Sequence, residues 1–218
     1  MARRVRHHAF DLPQAVAEGA LRPLRHPDSE QDFRIGLCQH TIPLRHTGRT
    51  DLALSTRGQD EARALEPVLR AIQFHHVLTS PARRAQETCA LAGLGGSAEI
   101  EPDLAEWDYG EYEGRTSRDI RQERPGWNVF RDGCPGGESV DAVSRRADRL
   151  ITRGAALSGN VALFSSGQFG CSLAARWIGL PVIQAQHLML GTASIGVLAY
   201  NPDHPGLRVI ARWNQTRD

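Results

Sequence analysis

Lysine is missing from this 218-residue chain: all 26 basic residues are arginine. Without one there is no Schiff-base amine and no P-loop cation, so both chemistries are excluded. A GC-rich genome explains the arginine usage more simply than function does. The four cysteines (Cys38, Cys89, Cys134, Cys171) include no CxxC pair. With no signal peptide legible, they read as reduced thiols of a cytoplasmic protein. Long apolar runs are also lacking, so no membrane span is expected, and no apolar stretch follows the basic start MARRVRHH. A net charge of +1 argues against binding nucleic acid or a membrane surface by bulk charge. His7, His8, His75 and His76 have no partners at metal-ligand spacing, so neither a metal nor another cofactor is expected.

What the chain does contain is an alternation of strand and helix signals. Its length suits one domain with a substantial core. Residues 1–32 carry Pro13, Pro23 and Pro27 with mixed charge and read as a partly ordered N-terminal extension; residues 33–218 read as a single domain. The apolar run FRIGLC (33–38) suits a buried strand. Residues 55–72 place Ala62, Leu65, Leu69 and Ile72 on one helical face, with a kink expected at Pro67. HVLTS (76–80) is a second strand, followed by a helix with Ser80 as N-cap, Pro81 at its first position and Gly93 at its end. Residues 103–137 are loop-rich, with a short helix near 116–123. Residues 138–157 form an amphipathic helix burying Val140, Val143, Ala147, Leu150 and Ile151. NVALFS (160–165) is a strand, 169–180 a helix, and 192–201 and 207–213 closing strands. This pattern predicts a three-layer α/β/α sandwich around a mostly parallel sheet.

In such a sheet the ligand sits beyond the carboxyl ends of the strands. The segments expected to meet there are 39–51, 80–84, 104–114 and 165–171, which are the ones rich in polar residues after strands.

These segments resemble the histidine phosphatase superfamily, in its phosphoglycerate-mutase-like bacterial branch. HTGRTDLALSTRGQDEA (46–62) is similar to the stretch after the family's nucleophile. VLTSPARRAQET (77–88) resembles SPxxRAxxT, which puts the phosphate-binding arginine at Arg84. LAEWDYGEYEG (104–114) resembles LxExxxGxxEG, whose first glutamate, here Glu106, is the family's proton donor. The resemblance runs from about Phe33 to Asn214. It implies a phosphohistidine chemistry in which a histidine attacks phosphorus. Two arginines and a second histidine stabilise the charge, and a carboxylic acid protonates the leaving oxygen.

Two sites depart from that pattern. Gln39-His40-Thr41 stands where the family has Arg-His-Gly, and the following segment is about five residues shorter than loops of the family. Ser166 stands where the second histidine belongs and Gln168 where the next one often sits; Gly170 and Cys171 replace a bulky residue and an arginine. His40 directly follows the buried strand and is the positional equivalent of the nucleophile. His46, five residues before Asp51, belongs to the downstream loop and reads as a loop residue contacting solvent or substrate. Gln39 supplies no permanent cation, and loss of one preorganised donor costs about 10²–10³ in rate.

The expected site therefore has His40 and Glu106 as catalytic residues. Gln39, Arg84, Asp108, His46, Ser166, Gln168 and Cys171 form a widened, less cationic binding pocket. Glu138 reads as structural, capping the next helix or holding a loop arginine. The favoured function is acid/base chemistry on a small metabolite of a biosynthetic route, with an anionic ligand allowed and a homodimer left open. A catalytically dead binding or regulatory protein, and a weak phosphomonoesterase acting through phospho-His40, are the alternatives.

Overall fold

The computed structural model of the chain describes residues 32–37 and 45–216. The expected extension over 1–32 lies outside the described residues apart from Asp32, which opens the first strand. Among the described residues six strands form one sheet: β1 (Asp32–Leu37), β2 (His76–Thr79), β3 (Ala98–Ile100), β4 (Val161–Ser165), β5 (Ser194–Tyr200) and β6 (Arg208–Gln215). Their order is β3-β2-β4-β1-β5-β6. β1, β2, β3 and β4 are parallel, and β5 runs antiparallel to both β1 and β6. One antiparallel strand in six is the mostly parallel sheet that the alternation predicts.

Both faces of the sheet are covered, which explains why β4 is buried at every position. Val161 and Leu163 of β4 pack with Val143, Ala147 and Leu150 of α6 (Val140–Ala155) and with Leu173 and Trp177 of α7 (Gly167–Trp177). Ala162 and Phe164 face the other way, onto Leu69 of α2 (Glu66–Arg70) and onto Ala85 and Cys89 of α3 (Arg83–Leu91). That period of two on a fully buried strand builds the three layers. Phe164 is wholly buried, and replacing it with alanine would cost about 3–5 kcal/mol in lost transfer energy and cavity.

The local signals account for most helix boundaries. Ser55 caps α1 (Thr56–Ala64), its side chain accepting from Gly58 N at 3.2 Å. Pro67 falls in the first turn of a separate helix, so residues 55–72 break into α1 and α2 rather than bend as one. Ser80 does not cap α3. Its hydroxyl accepts from Ala82 N within a turn, and the N–H of Arg83 at the start of the helix goes to Asp51 Oδ1 at 2.7 Å. Gly93, with φ of +81°, follows α3 as expected. α4 (Ser117–Glu123) begins with a capping box between Thr116 and Asp119. The four-residue helix α5 (Val129–Asp132) and the short edge strand β3 were not legible: each has too few residues for a periodic pattern.

Candidate active site

A cavity of about 610 Å³ opens beyond the carboxyl ends of the parallel strands. It is lined by the buried Thr47, Glu106, His46 and Tyr109, by the partly buried Gln168, Thr116 and Ser117, and by Arg45, Arg118 and Asp119, whose exposure marks the mouth.

Glu106 is set by two elements. Arg146, buried in the middle of α6, donates Nη1 to the carbonyls of Asp103 and Ala105 at 2.9 and 2.5 Å, fixing the backbone that carries it. Arg146 is held in turn by a bidentate ion pair with Glu138, at 3.0 and 2.7 Å. Glu138 thus holds an arginine of α6 rather than of a loop, and Ser139 takes the N-cap of that helix. Glu138 Oε2 also accepts from Asp108 N at 3.1 Å.

The carboxyl of Glu106 then accepts from Trp107 N at 2.8 Å, Phe169 N at 2.9 Å and Gln168 N at 3.1 Å. The last two are donors of the first turn of α7, where Ser166 stands as N-cap without a side-chain bond. Those amides and the Arg84 charge favour the carboxylate, but burial outweighs them and pushes the pKa up. Glu106 is therefore a carboxyl biased toward its protonated form on the wall of a cavity, the state a general acid requires.

Arg84 is 1 % exposed and donates Nη2 to Thr47 O at 2.9 Å and Nη1 to Thr50 O at 3.1 Å. From the opposite side, Glu113 accepts from Gly48 N, Thr50 N and Thr50 Oγ1 at 3.1, 2.9 and 2.6 Å. The turn over residues 47–50 is thus pinned between a cation and an anion. Gly48 permits the close approach: a Cβ there would lie 1.9 Å from the carbonyl oxygen of Trp107. Among the described residues three buried side-chain polar atoms have no partner, namely Arg84 Nε, Thr47 Oγ1 and Ser166 Oγ.

His46 is buried against Tyr109 and Trp127, with ring centroids 4.7 and 5.3 Å away, and its Nε2 lies 2.9 Å from Ser117 Oγ. Burial, with a smaller contribution from Arg121, lowers its pKa to about 4, so the ring is neutral at physiological pH.

Of the residues singled out from sequence, Glu106, His46 and Gln168 line the cavity. Arg84 and Ser166 lie buried behind it with unpartnered polar atoms. Asp108 turns to Arg49 Nη2 at 2.5 Å and accepts from Gly110 N. Cys171 sits in an apolar cluster with Ala175 and Ala185, its thiol donating to Leu188 O at 3.4 Å and its pKa pushed up to about 12 by burial. Gln39 and His40 lie outside the described residues. Thr47, Tyr109 and the 116–119 segment were not picked out. The pattern Thr116-Ser117-Arg118-Asp119 could have shown the start of α4, but nothing in sequence told which wall it faces. Among the described residues no group of three or more His, Cys, Asp and Glu side chains is placed to hold a metal ion, and no helix is long and apolar enough to cross a membrane.

The sequence profile of the histidine phosphatase superfamily (branch 1) matches residues 24–216. An acid phosphatase of Mycobacterium tuberculosis is 38% identical over 171 residues, covering 77% of this chain and 82% of that protein. An adenosylcobalamin/alpha-ribazole phosphatase of Escherichia coli is 29% identical over 188 residues, covering 82% and 93%. Among solved structures, the product of an open reading frame of Mycobacterium tuberculosis superposes with a TM-score of 0.80 at 34% identity, over 85% of this chain and 97% of that one.

Proposed function

This chain belongs to the histidine phosphatase superfamily, and from that premise we propose that it carries out acid/base chemistry on a small metabolite in place of phosphoryl transfer. The observation that carries this reading is Glu106: a buried carboxyl, biased toward its protonated form, on the wall of a cavity. His40, three positions beyond the end of β1 in the sequence, is the imidazole that would act with it. A carboxylic acid facing a histidine is a sufficient pair for isomerisation, elimination, cyclisation or non-phosphate hydrolysis.

What is missing supports the same reading. Phosphoryl transfer spreads charge over three equatorial oxygens, and catalysis there consists of positioning cations and donors around them. Gln39 and Ser166 occupy two of those matched positions. Arg84 remains, with both Nη groups committed to the 47–50 turn. The relatives' activities on phosphate esters are theirs; in this chain the acid of the site outlasts its anion clamp. The free thiols of Cys89, Cys134 and Cys171 suit a cytoplasmic setting.

Metabolite extracts incubated with the protein test the proposal. We expect a substrate to be consumed by the wild type and spared by Glu106→Gln and His40→Ala, with aryl phosphates left intact. Robust aryl-phosphate hydrolysis abolished by His40→Ala would overturn it in favour of a phosphomonoesterase. Tight metabolite binding without turnover would overturn it in favour of a binding protein.

A further inference from the structure

The cavity carries exposed cations at its mouth and one buried cation, Arg84, behind its wall, where both Nη groups donate to carbonyls. Burial raises the pKa of Glu106 on that wall. At the mouth, Arg45 and Arg118 are both exposed and both line the cavity. Arg118 has no hydrogen bond or ion pair with any of the described residues. Arg45 donates Nη1 to Gly114 O at 2.6 Å.

The acidic groups nearby are already engaged. Asp119 also lines the mouth, but its Oδ2 accepts from Thr116 N and Thr116 Oγ1 within the capping box. Glu113 is caged by the 48–50 turn, Glu123 is paired with Arg115, and Asp108 is paired with Arg49. Arg121 donates to Trp127 O. Two cations and one anion thus line the mouth, and the neutral His46–Ser117 pair lines the same cavity as Glu106.

We infer that the cavity takes a small carboxylic acid, with its carboxylate at the mouth on Arg118 and Arg45 and its uncharged reacting group at Glu106. This rests on the acid/base reading above, because a phosphomonoester would need its anionic group beside Glu106. The guanidinium fork matches a carboxylate in bidentate geometry, and Arg118 has no ion pair among the described residues to break first. The volume of about 610 Å³ suits a ligand of metabolite size.

The test uses two probes of the same shape, 4-phenylbutyrate and 4-phenylbutyramide, titrated calorimetrically at low salt. We expect the acid to bind at least about 5-fold tighter than the amide, a preference that shrinks as ionic strength rises. Arg118→Ala and Arg45→Ala should each reduce the preference and together abolish it, whereas Arg63→Ala, an exposed arginine of α1 outside the cavity lining, should keep it. Amide shifts in 15N-correlated spectra should fall at residues 45–46 and 116–119. Equal affinities, no binding of either probe, or a preference that survives the double arginine variant would overturn the inference. Because the readout is binding, aryl-phosphate turnover by the wild type would sink the acid/base reading alone, and the charge preference would still decide the mouth.

Discussion

His46 Nε2 lies 2.9 Å from Ser117 Oγ, which ties the loop before α1 to the first turn of α4. The ring is packed edge-on against Trp127 and tilted over Tyr109, so water has little access to it. Its burial makes it a stability sensor. A histidine with its pKa lowered from 6.5 to about 4 binds fewer protons folded than unfolded, so folding loses stability as pH falls from about 6.5 through 4. His46→Phe, which keeps an aromatic ring in the stack, should show a shallower fall in Tm across that window. In the wild type the imidazole carbon shifts should titrate with a midpoint near 4. A midpoint near 6.5 would mean the ring is solvated.

Glu106 responds in the opposite sense. Its folded pKa is raised above the ordinary 4.5, so the fold holds the proton more tightly than the unfolded chain does. The stability that this contributes is present below about 4.5 and is lost as pH rises through the raised value. Glu106→Gln keeps an acceptor for the amides of Trp107 and Phe169, which share Oε1, and gives up that of Gln168 on Oε2 along with the ionisation. We expect its Tm to gain on the wild type as pH rises above 4.5 while turnover is lost. Parallel Tm curves for the two proteins would show that the carboxyl is not held protonated.

The Glu138–Arg146 pair supports the loop that carries Glu106, and both partners are largely buried. Arg146 also stacks over the Phe169 ring, 4.1 Å from its centroid, so the pair couples α6 to α7. Removing the carboxylate would leave a buried guanidinium with carbonyls but no counter-charge. Glu138→Ala should therefore cost about 3–5 kcal/mol, read as a lowered denaturation midpoint. Glu138→Gln, which keeps the acceptor oxygen, should cost less. Equal losses for the two would assign the effect to packing rather than charge.

The layers of the fold were legible because β4 and α6 carry long, clean hydrophobic patterns: Val161, Leu163, Val143 and Leu150 meet in the core as their periodicity requires. The site was legible only in part. Glu106 and Arg84 stand in motifs that give a role, and both lie at the strand ends. The use made of Arg84 was not legible, since it depends on carbonyls 34 and 37 residues away in a turn shaped by Glu113. Arg146 was hidden for a related reason. A single charged residue on an apolar helix face reads as a surface position until the acceptors of the 103–105 loop are known to lie under it. Arg118 belongs to a seven-residue helix whose orientation is set by the packing of Ile120 and Trp127 rather than by any local pattern.

Restoring the family's donors is the most direct check on the two departures. Ser166 is fully buried at the start of α7, its hydroxyl without a partner among the described residues. In the proposed reading it stands in the place of the family's second histidine, and Gln39 in that of its first arginine. A neutral amide and a hydroxyl together cannot offset a dianion, whereas a guanidinium and an imidazole can supply charge-assisted hydrogen bonds. The double variant Gln39→Arg with Ser166→His should bind inorganic phosphate or vanadate at least about 10-fold more tightly than the wild type, since a charge-assisted hydrogen bond contributes about 1.5–3 kcal/mol. Calorimetric titration reads this directly, and a gain in aryl-phosphate turnover should accompany it. A larger side chain at 166 must also fit a wholly buried position, so the Tm of the Ser166→His single variant controls for overpacking. A stable double variant with unimproved phosphate affinity would mean that positions 39 and 166 do not face the same ligand, and the reading of Gln39-His40 as the altered remnant of Arg-His would fall with it.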